Sequence, residues 1–139
     1  MTSRPLPALT TLNRAFWTSG ATGALHIQRC GRCARLVHPP ALLCPDDHSD
    51  ELSFVPVSGR GVVETWTENN HTWFPGLPAP YVIAYVTLVE DERARLLTNL
   101  VALDGHELTV GMHVRVTFER HEVDGDQIHV PLFEPDPDA

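Results

Sequence analysis

Cysteine occurs three times in this 139-residue chain, as Cys30-Gly31-Arg32-Cys33 and then, after ten intervening residues, in Cys44-Pro45-Asp46-Asp47. A C-x2-C turn relaxed by Gly31 lets two sulfurs face one ion, and a second such turn can complete a tetrahedron of ligands around zinc. The second turn here offers Cys44 and one oxygen or nitrogen donor. Asp47 stands where the spacing wants the fourth ligand and would bind through a carboxylate oxygen. His48 beside it is favoured by ligand chemistry, through its imidazole. The metal-ligating set expected is Cys30, Cys33, Cys44 and Asp47, with His48 as the rival for the last position. Against it stands a ribbon that has lost its metal and keeps its shape by packing alone. Disulfides fit poorly, because the cysteine count is odd and Met1 to Pro7 lacks the build of a secretory signal.

Other chemistry-bearing residues are scattered. The eight histidines fall in no G-x-S-x-G elbow, H-E-x-x-H pair or phosphate loop. A lone loop histidine such as His71, without an orienting carboxylate, is a weak acid–base candidate, and His38 reads as a surface residue. All ten basic residues are arginine, so a lysine Schiff base is excluded. The formal charge of -8 argues against nucleic acid, since neutralising phosphates needs a basic face. No stretch approaches the roughly 20 apolar residues of a membrane span, and a soluble cytoplasmic protein is expected.

Three segments must position these residues. Residues 1–23 carry a short amphipathic helix, expected from Thr10 to Ala21, with Thr10 or Thr11 as cap and Leu12, Phe16 and Trp17 on one face. Its aromatic pair suits core packing and partner docking equally. Residues 24–51 form the metal ribbon: a strand from Ala24 to Arg29 leads into the first knuckle, a second lies near Arg35 to His38, and Pro39-Pro40 turns the chain back. Residues 52–139 read as strand after strand, over 52–57, 61–68, 81–90, 94–101, 113–123 and 127–133. Turn signals such as Ser58-Gly59-Arg60-Gly61 and Asp124-Gly125-Asp126 separate them. The expected fold is mainly β: an N-terminal helix, a rubredoxin-like zinc ribbon and a C-terminal barrel of the OB type, whose closure removes exposed edges.

The loop from Thr67 to Pro80 is too long for a tight hairpin and carries His71, Trp73 and Phe74 among three prolines. Aromatics on a stiffened loop lose little entropy on binding, which suits a ligand wall or docking surface. The alternative is that they fold back over one end of the barrel.

The order helix, knuckled ribbon, small barrel resembles the domain-of-unknown-function thirty-five family of acyl-CoA-associated proteins. The resemblance rests on Phe16-Trp17, on Leu25 through Cys33, on His38-Pro39-Pro40 and Cys44-Pro45, and on Ser58-Gly59-Arg60-Gly61. Ala79 through Ala84, Leu96 through Leu100, Gly111 through Val114 and Pro131-Leu132-Phe133 extend it across nearly the whole chain. Asp47 in place of a last cysteine is the departure. The resemblance implies a non-catalytic accessory subunit of a thiolase-superfamily partner, foremost a lipid-transfer-protein-like aldolase that cleaves a 3-hydroxyacyl-CoA in steroid side-chain degradation. A thiolase, hydroxymethylglutaryl-CoA synthase or acyltransferase complex, or an independent acyl-CoA-binding protein, are the alternatives. On this basis Phe16, Trp17, Trp73 and Phe74 are the expected partner contacts. Arg60, Trp66, His71 and Tyr81 are the expected acyl-CoA contacts, and zinc is the expected structural cofactor.

Overall fold

Alternation of apolar and polar residues in the second half of the chain closes a five-stranded barrel. The structure is a computed structural model that describes residues 4–138. Strands β4 (Arg60–Asn69), β5 (Tyr81–Leu88), β6 (Asp91–Leu100), β7 (His113–Val123) and β8 (Asp126–Pro135) are ordered β4-β5-β6-β8-β7 around it. Tight turns make the β5–β6 and β7–β8 ladders antiparallel, whereas β6 and β8 run parallel and share one residue pair, Leu100 with Phe133. Inward residues Val63, Val86, Leu96, Val114 and Phe133 form the barrel core.

Ahead of the barrel, β1 (His26–Cys30) lies between β2 (Leu36–Val37) and β3 (Leu52–Pro56) in a separate three-stranded sheet. The strand expected over 52–57 as the first of the barrel run therefore pairs along β1, from Cys30 opposite Leu52 to His26 opposite Pro56. Both ends of the second knuckle are thereby tied to the first, which strand propensity alone could not reveal. The core is continuous across the two sheets, since Leu25, Ile27 and Leu36 cluster with the barrel residues. Asp91, at the head of β6, accepts the backbone N–H of Leu36 at 3.0 Å and so clips the ribbon to the barrel.

The expected helix from Thr10 to Ala21 is shorter. One turn, α1 (Arg14–Trp17), is followed by a 3-10 turn at Ser19–Thr22. Thr10 Oγ1 accepts the N–H of Asn13, but no side chain caps α1 itself, and so short a helix holds only through tertiary packing. That packing comes from β8. Ile128, Val130 and Leu132 take Leu6, Leu9 and Trp17 on one side of the strand, while Phe133 fills the barrel on the other. A run buried on both faces, Ile128–Phe133, is the result.

At the head of β4 the Gly-Arg-Gly bend is sterically required. Gly59 has φ +77°, and a Cβ there would lie 2.3 Å from Val116 Cγ1. At Gly61 it would lie 2.4 Å from Val86 Cγ1 and 2.8 Å from the Thr87 carbonyl oxygen.

Candidate functional site

The two knuckles meet at the edge of the ribbon sheet. Cys30 N–H donates to Arg35 O at 2.9 Å and Ala34 N–H to Cys30 O at 2.9 Å, closing the first turn. Cys44 N–H donates to Ser49 O at 2.8 Å and His48 N–H to Cys44 O at 2.9 Å, closing the second. Ligand atoms of Cys30, Cys33, Cys44 and Asp47 all lie within 4.8 Å of one another. A zinc ion with Zn–S of about 2.3 Å and Zn–O of about 2.0 Å sets tetrahedral edges of about 3.8 Å between sulfurs and about 3.5 Å from sulfur to oxygen. Here Cys33 Sγ and Cys44 Sγ are 3.6 Å apart, and Cys30 Sγ lies 3.5 Å from Asp47 Oδ2. The residues present therefore fit the ion. His48, exposed and with a left-handed backbone at φ 59°, is not in the cluster.

Electrostatics point the same way. The backbone N–H of Ser49, 2.9 Å from Oδ1, holds the Asp47 carboxyl below its usual range. Backbone N–H groups at Cys33 and Arg32 hold the Cys30 thiol below its own. At Cys33 the N–H of Arg35 favours thiolate, but desolvation and the thiols of Cys44 and Cys30 outweigh it and push the group up to about 11. Four such donors crowded together repel until a divalent cation compensates them, and coordinated thiols are then deprotonated outright.

The second candidate is a cavity of about 620 Å³ where β6 and β8 part company. Its walls come from every module: Leu12, Phe16 and Trp17 from the N-terminal segment, His38-Pro39-Pro40 from the ribbon, Leu77 from the long loop, and Ile83, Leu97, Val130 and Leu132 from barrel strands. Arg4 closes one end, its Nε 2.6 Å from Glu119 Oε1 and its Nη1 2.7 Å from Asn99 Oδ1. His38 packs its ring 4.6 Å from that of Phe16, and burial pushes its pKa down to about 4. It is therefore no surface residue, because the Pro39-Pro40 turn folds it inward. Its signal in the sequence was the His-Pro-Pro phrase itself. Ile83 and Leu97 were legible only as apolar residues at outward strand positions, where alternation wants polar ones.

The expected acyl-CoA contacts do not converge. Tyr81 lines this cavity, whereas Arg60 lies at the opposite end of β4, roughly 25 Å away along the strand, since Tyr81 pairs with Asn69. There Arg60 Nε is 3.4 Å from Asp136 Oδ2. Trp66 is exposed on β4, and His71 sits edge-on to Trp73 with ring centres 4.4 Å apart. Of the expected partner contacts, Phe16 is only 4% exposed and belongs to the core; its T-shaped packing on Trp17 and its contact with His38 take it out of reach. Trp73 and Phe74 are 66% and 48% exposed, so the loop aromatics do not fold back over the barrel. Asn69 Oδ1 holds the Trp73 indole N–H at 3.3 Å, and Thr72 Oγ1 accepts the Ala79 N–H at 2.9 Å.

Comparison with known proteins gives this architecture its relatives. Residues 17–53 match the family described as the ChsH2 rubredoxin-like zinc ribbon domain, and residues 54–119 match the ChsH2 C-terminal OB-fold domain. Over 133 residues the chain is 37% identical to a probable enoyl-CoA hydratase alpha subunit of Thermomonospora curvata, covering 95% of this chain and 40% of that one. It is 35% identical over 103 residues to the 3-oxo-4,17-pregnadiene-20-carboxyl-CoA hydratase alpha subunit of Mycobacterium tuberculosis, covering 74% and 32%. The chain thus spans two fifths or less of these relatives. A benzoylsuccinyl-CoA thiolase subunit, BbsA of Thauera aromatica, is 31% identical over 60% of each chain. Among solved structures, a chain of an Ltp2-ChsH2(DUF35) aldolase superposes with a TM-score of 0.76 at 34% identity, covering 94% of this chain and 98% of that one. With both ribbon and barrel matched and nearly all of the solved relative covered, the chain belongs to the DUF35 family of ChsH2-type zinc-ribbon and OB-fold proteins.

Proposed function

We propose that this chain is a non-catalytic accessory subunit that binds a thiolase-superfamily partner and helps to form its acyl-CoA pocket. The partner that fits best is a lipid-transfer-protein-like aldolase performing retro-aldol cleavage of a 3-hydroxyacyl-CoA. The observation that carries this reading is the end-to-end likeness to a chain of the two-component Ltp2-ChsH2(DUF35) aldolase. Its own chemistry agrees. The chain has no lysine, its cysteines are gathered in the ribbon, and the pair His121–Glu119 at 2.7 Å shares its carboxylate with Arg4. The exposed Trp73 and Phe74 supply rigid aromatic surface of the kind that anchors protein interfaces.

In this reading Cys30, Cys33, Cys44 and Asp47 hold one zinc ion. With four protein ligands the ion is coordinatively closed, so what it supplies is structural cross-linking of the two knuckles.

Coexpression with thiolase-fold chains, affinity copurification and an aldol-cleavage assay test the proposal. A stable complex, active only with both chains present, is expected. Turnover by the isolated chain would overturn it, as would failure of every thiolase-fold partner to be retained. The likeness to a thiolase subunit favours a second reading, membership of a thiolase complex, which the same copurified material assayed for thiolysis would reveal.

A further inference from the structure

The cavity at the β6–β8 seam has an origin in topology. Parallel pairing joins β6 to β8 at one residue pair, so along the rest of the seam side chains, rather than a hydrogen-bonded ladder, must fill the gap. The N-terminal segment bridges it from outside, leaving an open-mouthed cavity of about 620 Å³ lined by this chain alone, within the size range of small-molecule sites.

Its lining is uncharged in effect. Among the described residues it contains no carboxylate, and its cation, Arg4, is tied to Glu119 and Asn99. His38 is neutral at pH 7 because burial depresses its pKa. In a chain of net charge -8, a wall without acids is a local departure. The phosphates of a CoA head group gain nothing here, while a hydrocarbon body does.

The lining is also stiff. Five of its residues are proline, Pro5, Pro7, Pro39, Pro40 and Pro131, so the wall is largely set before a ligand arrives.

We propose that the seam cavity binds the neutral, ring-built acyl body of the thioester and leaves the CoA head group to the partner subunit. This rests on the accessory-subunit reading, and a ring-built acyl group is what the name of the mycobacterial relative describes.

Equilibrium dialysis of the chain alone with progesterone, a CoA-free pregnane probe, tests it directly. Saturable one-to-one binding is expected, with no competition from free CoA. Leu97→Glu charges the wall at a 63% exposed position, where substitution is expected to cost folding little, and should weaken binding about ten-fold or more. Absence of saturable binding, unchanged affinity in Leu97→Glu, or competition by CoA would overturn the proposal. Decanoate binding as tightly as progesterone would overturn its ring-built part. Copurification with the thiolase-fold partner is scored on the same preparations. A chain that retains its partner yet ignores progesterone sinks this inference alone; one that binds progesterone but no partner sinks the accessory reading alone.

Discussion

Asp47 and Asp91 show how single carboxylates set the character of this chain. Asp47 supplies the oxygen that closes a Cys3Asp donor set, and its orientation comes from the Ser49 N–H. We expect one zinc per purified chain by inductively coupled plasma mass spectrometry. Asp47→Ala should lower that stoichiometry severalfold, Asp47→Cys should retain it, and His48→Ala should leave it unchanged. Loss of zinc in His48→Ala would reassign the ligand. Asp91 is held down to about 2 by the Arg93 side chain first, and then by the N–H groups of Leu36 and Arg93. Because the unfolded carboxyl has a pKa of about 3.9, the folded chain binds this proton less tightly. The stability it contributes is complete above about pH 4 and is lost as the pH falls toward 2. Asp91→Asn should cost about 1–3 kcal/mol at pH 7 in urea unfolding and should show a smaller further loss than wild type below pH 4.

At the scale of elements, the Gly-Arg-Gly bend and the aromatic loop play opposite parts. The first is a packing device: a methyl group at Gly61 meets the Val86 side chain and the Thr87 backbone, so relief requires strand movement. Gly61→Ala should destabilise by about 1–3 kcal/mol in chemical denaturation. An unchanged midpoint would mean that β4 and β5 separate easily. The loop aromatics are exposed and held by local hydrogen bonds. Trp73→Ala with Phe74→Ala should shift stability by less than about 0.5 kcal/mol. The same pair should sharply reduce copurification with the partner. A complex retained at wild-type yield would place the interface elsewhere.

For the whole molecule, the N-terminal segment is the joint between modules. Its Leu6, Leu9 and Trp17 seal the outside of β8, its Phe16 meets the ribbon at His38, and its Arg4 ties β6 to β7. Phe16 therefore serves the interior, and in the proposed complex recognition would rest on the 70–80 loop and the outer barrel face. A stable partner complex should bury on the order of 1,600 Å², more than one loop supplies. Hydrogen exchange on the complex should accordingly protect strands beyond that loop.

Local sequence determined a good deal. The C-x2-C turn, the spacing that brings Cys44 and Asp47 to one cluster, the alternating strands and the glycine bend are short-range patterns, and such patterns dictate backbone conformation directly. Tertiary structure decided the rest. Whether 52–56 joins the ribbon or the barrel depends on pairing with β1, many residues away, because a strand's propensity does not name its partner. Burial of Phe16 and His38 depends on two loops meeting. The seam cavity exists because β6 and β8 pair at one point and a distant segment covers the gap, and no spacing along the chain encodes that meeting.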